Sequence, residues 1–355
     1  MTVRRLLIVG AGGWGKVHGN VYAEHRQWTV SAIADADPSV LAAAGERFGV
    51  PPDRLYHDPA RAIAEAQYDA ISVVIRNPFK TPILARALQT GAPVFTEKPL
   101  CHTVDDLRRI RAAAALGGGP LMVSQNYRFD PQARGVREMI QEKKLWGPLQ
   151  GMLVDFARRL GSGDAHITRF RGGLGLNAEM CIHHYDLMRY LTGSDPHFIR
   201  AIARESPRGG TAGWDTLDVL LEFPDLLTAC YHASYDVPES RTPWGGEWTL
   251  DFAEGSLVFC PYADGAYPVR YSRPWTHAWR PDAPLPDREH AYRHNLVAEA
   301  FDEFTRALDE GRQPECSLED NTRSVAMMLA VTEAADTGDT IEFGAFLDRV
   351  TGNTH

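Results

Sequence analysis

Continuous apolar runs alternate with amphipathic stretches through the first third of the chain. Leu6-Leu7-Ile8-Val9 and residues 29–34, 69–75, 92–95 and 121–124 are each apolar throughout or nearly so, the pattern of strands buried on both faces. Between them lie segments of helical spacing: 16–25, 38–48 closed by Gly49, 81–90 stopped by Gly91, and 105–116 with Thr103 as its cap. Strand and helix alternating at this spacing predict an α/β domain built on a doubly wound parallel sheet. Beyond Ser124 the period changes. Residues 131–144 read as a helix and 150–158 as an alternating strand; short strands follow at 198–204, 216–223, 226–235, 247–251 and 256–259. Asp218-Val219-Leu220-Leu221-Glu222-Phe223 alternates with period 2. This half predicts an α+β domain with a large, mostly antiparallel open sheet and helices on one face. Amphipathic helices are expected at 293–310 and 318–336, ended by Gly311 and Gly338, and an irregular proline-rich loop at 267–289.

The chain has 355 residues, beyond the size at which a single core stops growing, so two domains are expected, 1–125 and 126–355. A hydrophobic content of 44% and a charged content of 23% are those of a globular protein. The net charge of −9, without a basic run, argues against nucleic acid or an anionic membrane as partner. No apolar segment is long enough to span a bilayer. The apolar run after Arg4 and Arg5 meets Gly10 too soon for a signal peptide. Cys101, Cys181, Cys230, Cys260 and Cys316 form no CxxC pair, so free thiols in a reducing cytoplasm are expected.

Candidate chemistry concentrates where the predicted strands end. Gly10-Ala11-Gly12-Gly13-Trp14-Gly15 follows the first strand directly and opens a helix. Glycine at positions 10, 12 and 15 of this turn suits a tight bend, close approach of a pyrophosphate and close helix–strand packing. Asp35 ends the second strand about 20 residues later, placed to accept from a ribose 2′-hydroxyl and to repel a 2′-phosphate. Asp37 adds a second negative charge and no arginine follows at once, so NAD is favoured over NADP. Ligands gather at the carboxyl ends of such strands. That adds Arg76, Asn77, Glu97 and Lys98 to Gly10, Gly12, Gly13, Trp14, Gly15 and Asp35 as cofactor-binding candidates. Lys98, set in Glu97-Lys98-Pro99 at the end of a buried strand, is poorly explained by packing and reads as a catalytic ammonium. In the second half, Glu179, His183 and Asp186 recur at i, i+4, i+7 and would share one face of a helix. A carboxylate one turn before a histidine can hold the ring and raise its basicity. Glu179, Cys181, His183, His184 and Asp186 are all metal-ligating types, but no HExxH or second Cys/His cluster accompanies them, so no metal is expected. Tyr127, Arg128, His184 and Tyr235 are weaker candidates for substrate hydroxyls. Trp244 or Trp248 could stack on a sugar face, with core packing as the competing explanation.

Three ordered motifs together resemble the glucose–fructose oxidoreductase/inositol dehydrogenase (Gfo/Idh/MocA) family: the glycine turn at residues 10–15, Glu97-Lys98-Pro99, and a glycine-rich loop leading to His183-His184-Tyr185-Asp186. Asn126-Tyr127-Arg128-Phe129-Asp130-Pro131 and Ser317-Leu318-Glu319-Asp320-Asn321 are similar to family segments too. The resemblance covers essentially the whole chain. It implies a Rossmann domain followed by an open-sheet domain, and NAD(P)-dependent oxidation or reduction of a sugar, cyclitol or related polyol. It implies that Lys98, Glu179 and His183 contact the reacting hydroxyl, and that a cis peptide precedes Pro99. This chain departs from the family pattern at Glu179, where an aspartate is usual, at Cys181, where a glycine is usual, and at Lys80, where a histidine is common. An open sheet must cover its second face, so a homodimer or homotetramer is expected. Two other functions fit the same residues: a lyase that oxidises a sugar transiently with retained NAD, and a non-catalytic regulator that binds NAD(P).

Overall fold

The computed structural model describes residues 3–77, 79–144, 146–160, 175–206, 213–262, 270–272 and 296–352. The glycine-rich stretch before Gly175 and most of the loop expected at 267–289 lie outside these. In chain order the elements are β1 (Arg4–Val9), α1 (Trp14–Glu24), β2 (Trp28–Ala34), α2 (Pro38–Phe48), β3 (Leu55–Tyr56), α3 (Pro59–Glu65), β4 (Ala70–Val73), α4 (Lys80–Gln89), β5 (Val94–Glu97), α5 (Val104–Gly117) and β6 (Leu121–Ser124). There follow α6 (Pro131–Glu138), β7 (Leu149–Ala157), α7 (Ile182–Thr192), β8 (Phe198–Arg204), β9 (Thr216–Glu222), β10 (Thr228–Ser234), β11 (Glu247–Phe252), β12 (Gly255–Phe259) and β13 (Arg270–Ser272). The chain closes with α8 (Leu296–Glu310), α9 (Leu318–Thr337), β14 (Ile341–Glu342) and α10 (Phe343–Thr351).

These elements form two compact units, Met1–Gln125 with Asn295–Thr322, and Asn126–His294 with Arg323–His355. The first holds a six-stranded parallel sheet in the order β3-β2-β1-β4-β5-β6, with Leu6, Leu7, Ile8 and Val9 fully buried at its centre. The expected cap Thr103 is present, accepting from the Asp106 amide at the start of α5, and Asp37, expected only to add negative charge, caps α2 by accepting from the Ser39 and Val40 amides. β3 and α3 escaped the sequence reading because the intervening segment is short and weakly apolar. The C-terminal α8 belongs here by its aromatics. Phe301 packs on Tyr22, Trp28 and Phe95, and the Trp28 indole donates to Thr305 Oγ1 at 2.8 Å. An amphipathic pattern announces a buried face but not the surface it will meet.

The second unit carries an eight-stranded sheet, β13-β12-β11-β7-β10-β9-β8-β14, antiparallel except where β7 and β10 run parallel. Alternation sorts its two faces. Val154, Phe156, Leu217, Val219, Tyr231, Trp248 and Leu250 point inward and are buried, with α7 against them: Tyr185 meets Tyr231 edge-on at 5.6 Å. The opposite face leaves Leu153 55%, Ile202 66% and Phe198 41% exposed. The helix expected over 131–144 is α6 followed by a wider π segment, Met139–Lys143. No helix among the described residues is long and apolar enough to cross a membrane.

Candidate functional site: a nucleotide edge and a histidine cluster

In the first unit, β1 ends in a turn that only glycine can make. Gly10 has φ +92°, and a Cβ there would stand 2.2 Å from the Val74 carbonyl oxygen. A Cβ on Gly15 would lie 2.1 Å from the Gly10 oxygen, so α1 seats directly on the strand end. Gly12 differs: a Cβ there would touch Val40 at 3.6 Å, an ordinary contact, so the protein's own packing does not demand glycine. A Cβ on Gly13 would meet nothing within 4 Å, and no side chain caps α1. A loop kept bare before uncapped helix amides fits a pyrophosphate. The Asp35 carboxylate is pinned beside this turn, accepting from the Ala11 amide at 2.8 Å and the Asp37 amide at 3.0 Å. Trp14 is half exposed at the loop, and Arg76 is exposed. These residues fit a dinucleotide.

At the end of β5 the Lys98–Pro99 peptide is cis, as the resemblance implies. Lys98 is half-buried between two tethered neighbours. Glu97 Oε1 accepts from His18 Nε2 at 2.9 Å; His18 Nδ1 meets the Tyr22 hydroxyl at 2.8 Å, which meets Ser72 Oγ at 2.8 Å. Burial alone would raise the Glu97 pKa. The His18 hydrogen bond and the charges of His18, Lys98 and Lys80 outweigh it and hold the carboxyl below its ordinary value. On the other side, Pro99 O accepts from Asn77 Nδ2 at 3.3 Å and from Lys80 Nζ at 2.8 Å. His18 and Lys80 were not among the candidates; their partners lie 79 and 17 to 19 residues away, beyond any local pattern.

In the second unit the Glu179–His183 spacing does not fall on one regular helix. Asn177–Cys181 is a π segment that passes into α7 at Ile182. Its wider turn breaks the 3.6-residue arithmetic, and such segments gather at functional sites. Asn177 pins it, donating to Met328 O at 3.0 Å and Thr332 Oγ1 at 2.9 Å while accepting from the Tyr185 hydroxyl at 2.9 Å. Glu179 is half-buried and His183 is 6% exposed. Tyr127 stacks flat on the His183 ring, centroids 4.2 Å apart, with Tyr262 on its other side at 4.8 Å. Tyr262 lay in no motif; its φ of +55° and the Asp130 carboxylate on its amide fix it there.

Four candidates are employed otherwise than the sequence suggested. Arg128 gives Nε and Nη2 to Asp186 at 2.5 and 2.7 Å in a buried fork, so it anchors the turn carrying Tyr127. Trp248 is fully buried, its indole donating to Gly245 O at 2.8 Å, which places it in the core. His184 points into the core as well: Nδ1 meets the Tyr231 hydroxyl at 2.7 Å and Nε2 the Trp244 carbonyl at 3.4 Å. Tyr235, 6% exposed, packs edge-on against Phe156. Among the described residues no group of three or more His, Cys, Asp or Glu is arranged to hold a metal ion.

Burial pushes His184 down from 6.5 to about 4, only partly offset by the Trp244 carbonyl. The unfolded chain therefore takes up a proton here before the folded one does. Stability from this group is complete above pH 6.5 and is lost as pH falls through 4. The loss should total roughly 3 kcal/mol by linkage. Unfolding free energies at about pH 7 and about pH 4.5 should differ by less in His184→Gln than in the parent; equal acid slopes would remove His184 as the cause.

Known proteins fit this arrangement. Residues 4–125 match the family model described as oxidoreductase family, NAD-binding Rossmann fold, and residues 133–258 match the GFO/IDH/MocA C-terminal domain. The chain is 27% identical to D-apiose dehydrogenase of Paraburkholderia graminis over 96% of its own length and 90% of that protein's. It is 30% identical to inositol 2-dehydrogenase of Rhizobium meliloti, over 94% of this chain and 97% of the relative. Its fold is that of an oxidoreductase from Agrobacterium radiobacter solved in complex with NAD+, L-tartaric acid and magnesium, with a TM-score of 0.84 at 21% identity over 97% of this chain and 99% of that one. Carrying both family domains, in order and at matching positions, the chain belongs to the Gfo/Idh/MocA family of oxidoreductases.

Proposed function

We propose that this protein oxidises a secondary hydroxyl of a sugar, cyclitol or related polyol, with residues 1–125 binding the nucleotide and the second unit, 126–294 with 323–355, binding the substrate. The observation that carries the reading is Lys98, held on a turn anchored on both sides at the carboxyl edge of an NAD-binding sheet. The relatives named D-apiose dehydrogenase and inositol 2-dehydrogenase support the substrate class. Gly10, Gly12, Gly13, Trp14, Gly15 and Asp35 would hold NAD, with Arg76, Asn77, Glu97 and Lys98 at its edge; bound NAD supplies the two-electron acceptor. The Asp35 carboxylate beside the glycine turn favours NAD over NADP. His183 accepts the hydroxyl proton, a task suited to an imidazole, and the stacked Tyr127 fixes the plane of its ring. Lys98 donates to the same oxygen and stabilises the charge that grows on it. Glu179, one methylene longer than the usual aspartate, orients His183 or takes a neighbouring hydroxyl.

The test is reduced-nicotinamide absorbance in a screen of D-apiose, myo-inositol and other polyols with NAD+ and NADP+. Turnover with NAD+ is expected; product without net NADH would mean a transient oxidation instead, and silence throughout would sink the enzyme reading. The exposed Leu153, Phe198 and Ile202 support self-association through the outer sheet face, giving a homodimer or homotetramer. Light scattering at micromolar concentration that returned a monomer would reject it. The five cysteines without a framework spacing favour a cytoplasmic location, which cell fractionation checks.

A further inference from the structure

We propose that Lys80 is a positioning residue for Lys98, its buried ammonium clamping the two backbone carbonyls that bracket the catalytic lysine. The proposal rests on the reading of Lys98 as the donor to the reacting hydroxyl. Lys80 is 1% exposed, while the other lysines with described side chains are exposed or half-buried. Its Nζ donates to Glu97 O at 2.6 Å and to Pro99 O at 2.8 Å. Asn77, from the same segment, adds a donor to Pro99 O at 3.3 Å.

The position is a poor one for a cation on general grounds. Burial strips the ammonium of water, and Lys80 is the first residue of α4, where the helix dipole is positive. What offsets both is local. Two charge-assisted bonds to carbonyls replace water, and the Glu97 carboxylate feels the charge of Lys80 alongside those of Lys98 and His18. A tetrahedral ammonium can serve two diverging carbonyls at once; a neutral imidazole, with one N–H, can serve one. Glu97 is then tied twice, by its carbonyl to Lys80 and by its carboxylate to His18, and Pro99 twice, to Lys80 and Asn77. Nothing in this arrangement asks Lys80 to touch substrate. Its effect is on where the Lys98 stem leaves the backbone, and misplacing a donor by about 1 Å can cost on the order of 100-fold in rate.

The test compares Lys80→Met, Lys98→Met and the double variant in the full chain, assayed with NAD+ and D-apiose or myo-inositol. Lys80→Met should lower kcat about 10- to 100-fold with the affinity for NAD+ within about threefold. In the Lys98→Met background the same change should cost less than about threefold more, because its target is gone. A readout free of substrate is the rate at which an N-hydroxysuccinimide ester acylates Lys98, followed by peptide mass. It should change at least about fivefold in Lys80→Met, while Lys16 and Lys144, both exposed, stay within about twofold. Lys80→Gln, which keeps an N–H donor, should fall between parent and Lys80→Met in both readouts, and it carries the test if the methionine variant does not fold. Unchanged kcat and acylation in Lys80→Met, or a full additive loss in the double variant, would overturn the clamp. Parent-like kcat in Lys98→Met would overturn the role of Lys98, and the clamp with it.

Discussion

Lys98→Met should lower kcat by about 10²–10³ while leaving the fold nearly unchanged. Methionine keeps an unbranched stem, one atom shorter, and removes the donors. The loss would fall in the step where charge grows on the hydroxyl oxygen, since a donor to that oxygen is worth most in the transition state. The turn should survive the change, because its anchors belong to the neighbours: His18 on Glu97, and Asn77 and Lys80 on Pro99. His183→Ala should cost about 10²–10⁴ in kcat, as expected for removal of a general base. Initial rates with saturating NAD+ and a turned-over polyol measure both. Activity within a few-fold of the parent in either variant would end the proposed division of labour.

Asp186→Ala should destabilise the second unit by about 3–5 kcal/mol, the cost of stranding a buried partner charge. Arg128, with its side chain 6% exposed, would lose both hydrogen bonds of its fork, and Ser324 Oγ its acceptor at 2.7 Å. The melting temperature should fall by roughly 10 °C or more. The turn Asn126–Phe129 would lose its tie to α7, loosening Tyr127 against His183, so kcat measured below the transition should fall as well. Replacing both partners by apolar residues, Arg128→Met with Asp186→Leu, should recover most of the stability, since a well-packed apolar pair is often as stable as a buried ion pair. Scanning calorimetry of the parent and the variants decides it. A loss of under about 1 kcal/mol in Asp186→Ala would show that this fork is no anchor.

Whatever rests on contiguous residues is legible in the sequence. The glycine turn, Asp35 and Glu97-Lys98-Pro99 each sit at the end of an apolar run, and such runs are buried strands whose carboxyl ends form the binding edge. The cap Thr103 is legible for the same reason, its partner Asp106 being three residues away. The histidine stretch is legible as chemistry but not as geometry. The wider turn at Asn177–Cys181 depends on Met328 and Thr332, about 150 residues downstream, and nothing in the local period announces it.

The order of residues along the chain is enough to set the class of each half, the cofactor edge and the identity of the candidate lysine and histidine, because strand burial and turn chemistry are local properties. Packing in three dimensions settles how those residues are held. It sets His18 and Lys80 on either side of the Lys98 turn, commits Arg128 to Asp186, lays Tyr127 on His183, and withdraws His184 and Trp248 into the core. It also returns α8 to the first unit, where Phe301 and Phe304 close the aromatic core around Tyr22, Trp28 and Phe95. Each of these is a pairing of groups far apart along the chain. A side chain's type says that it needs a partner, and only packing selects which one it meets.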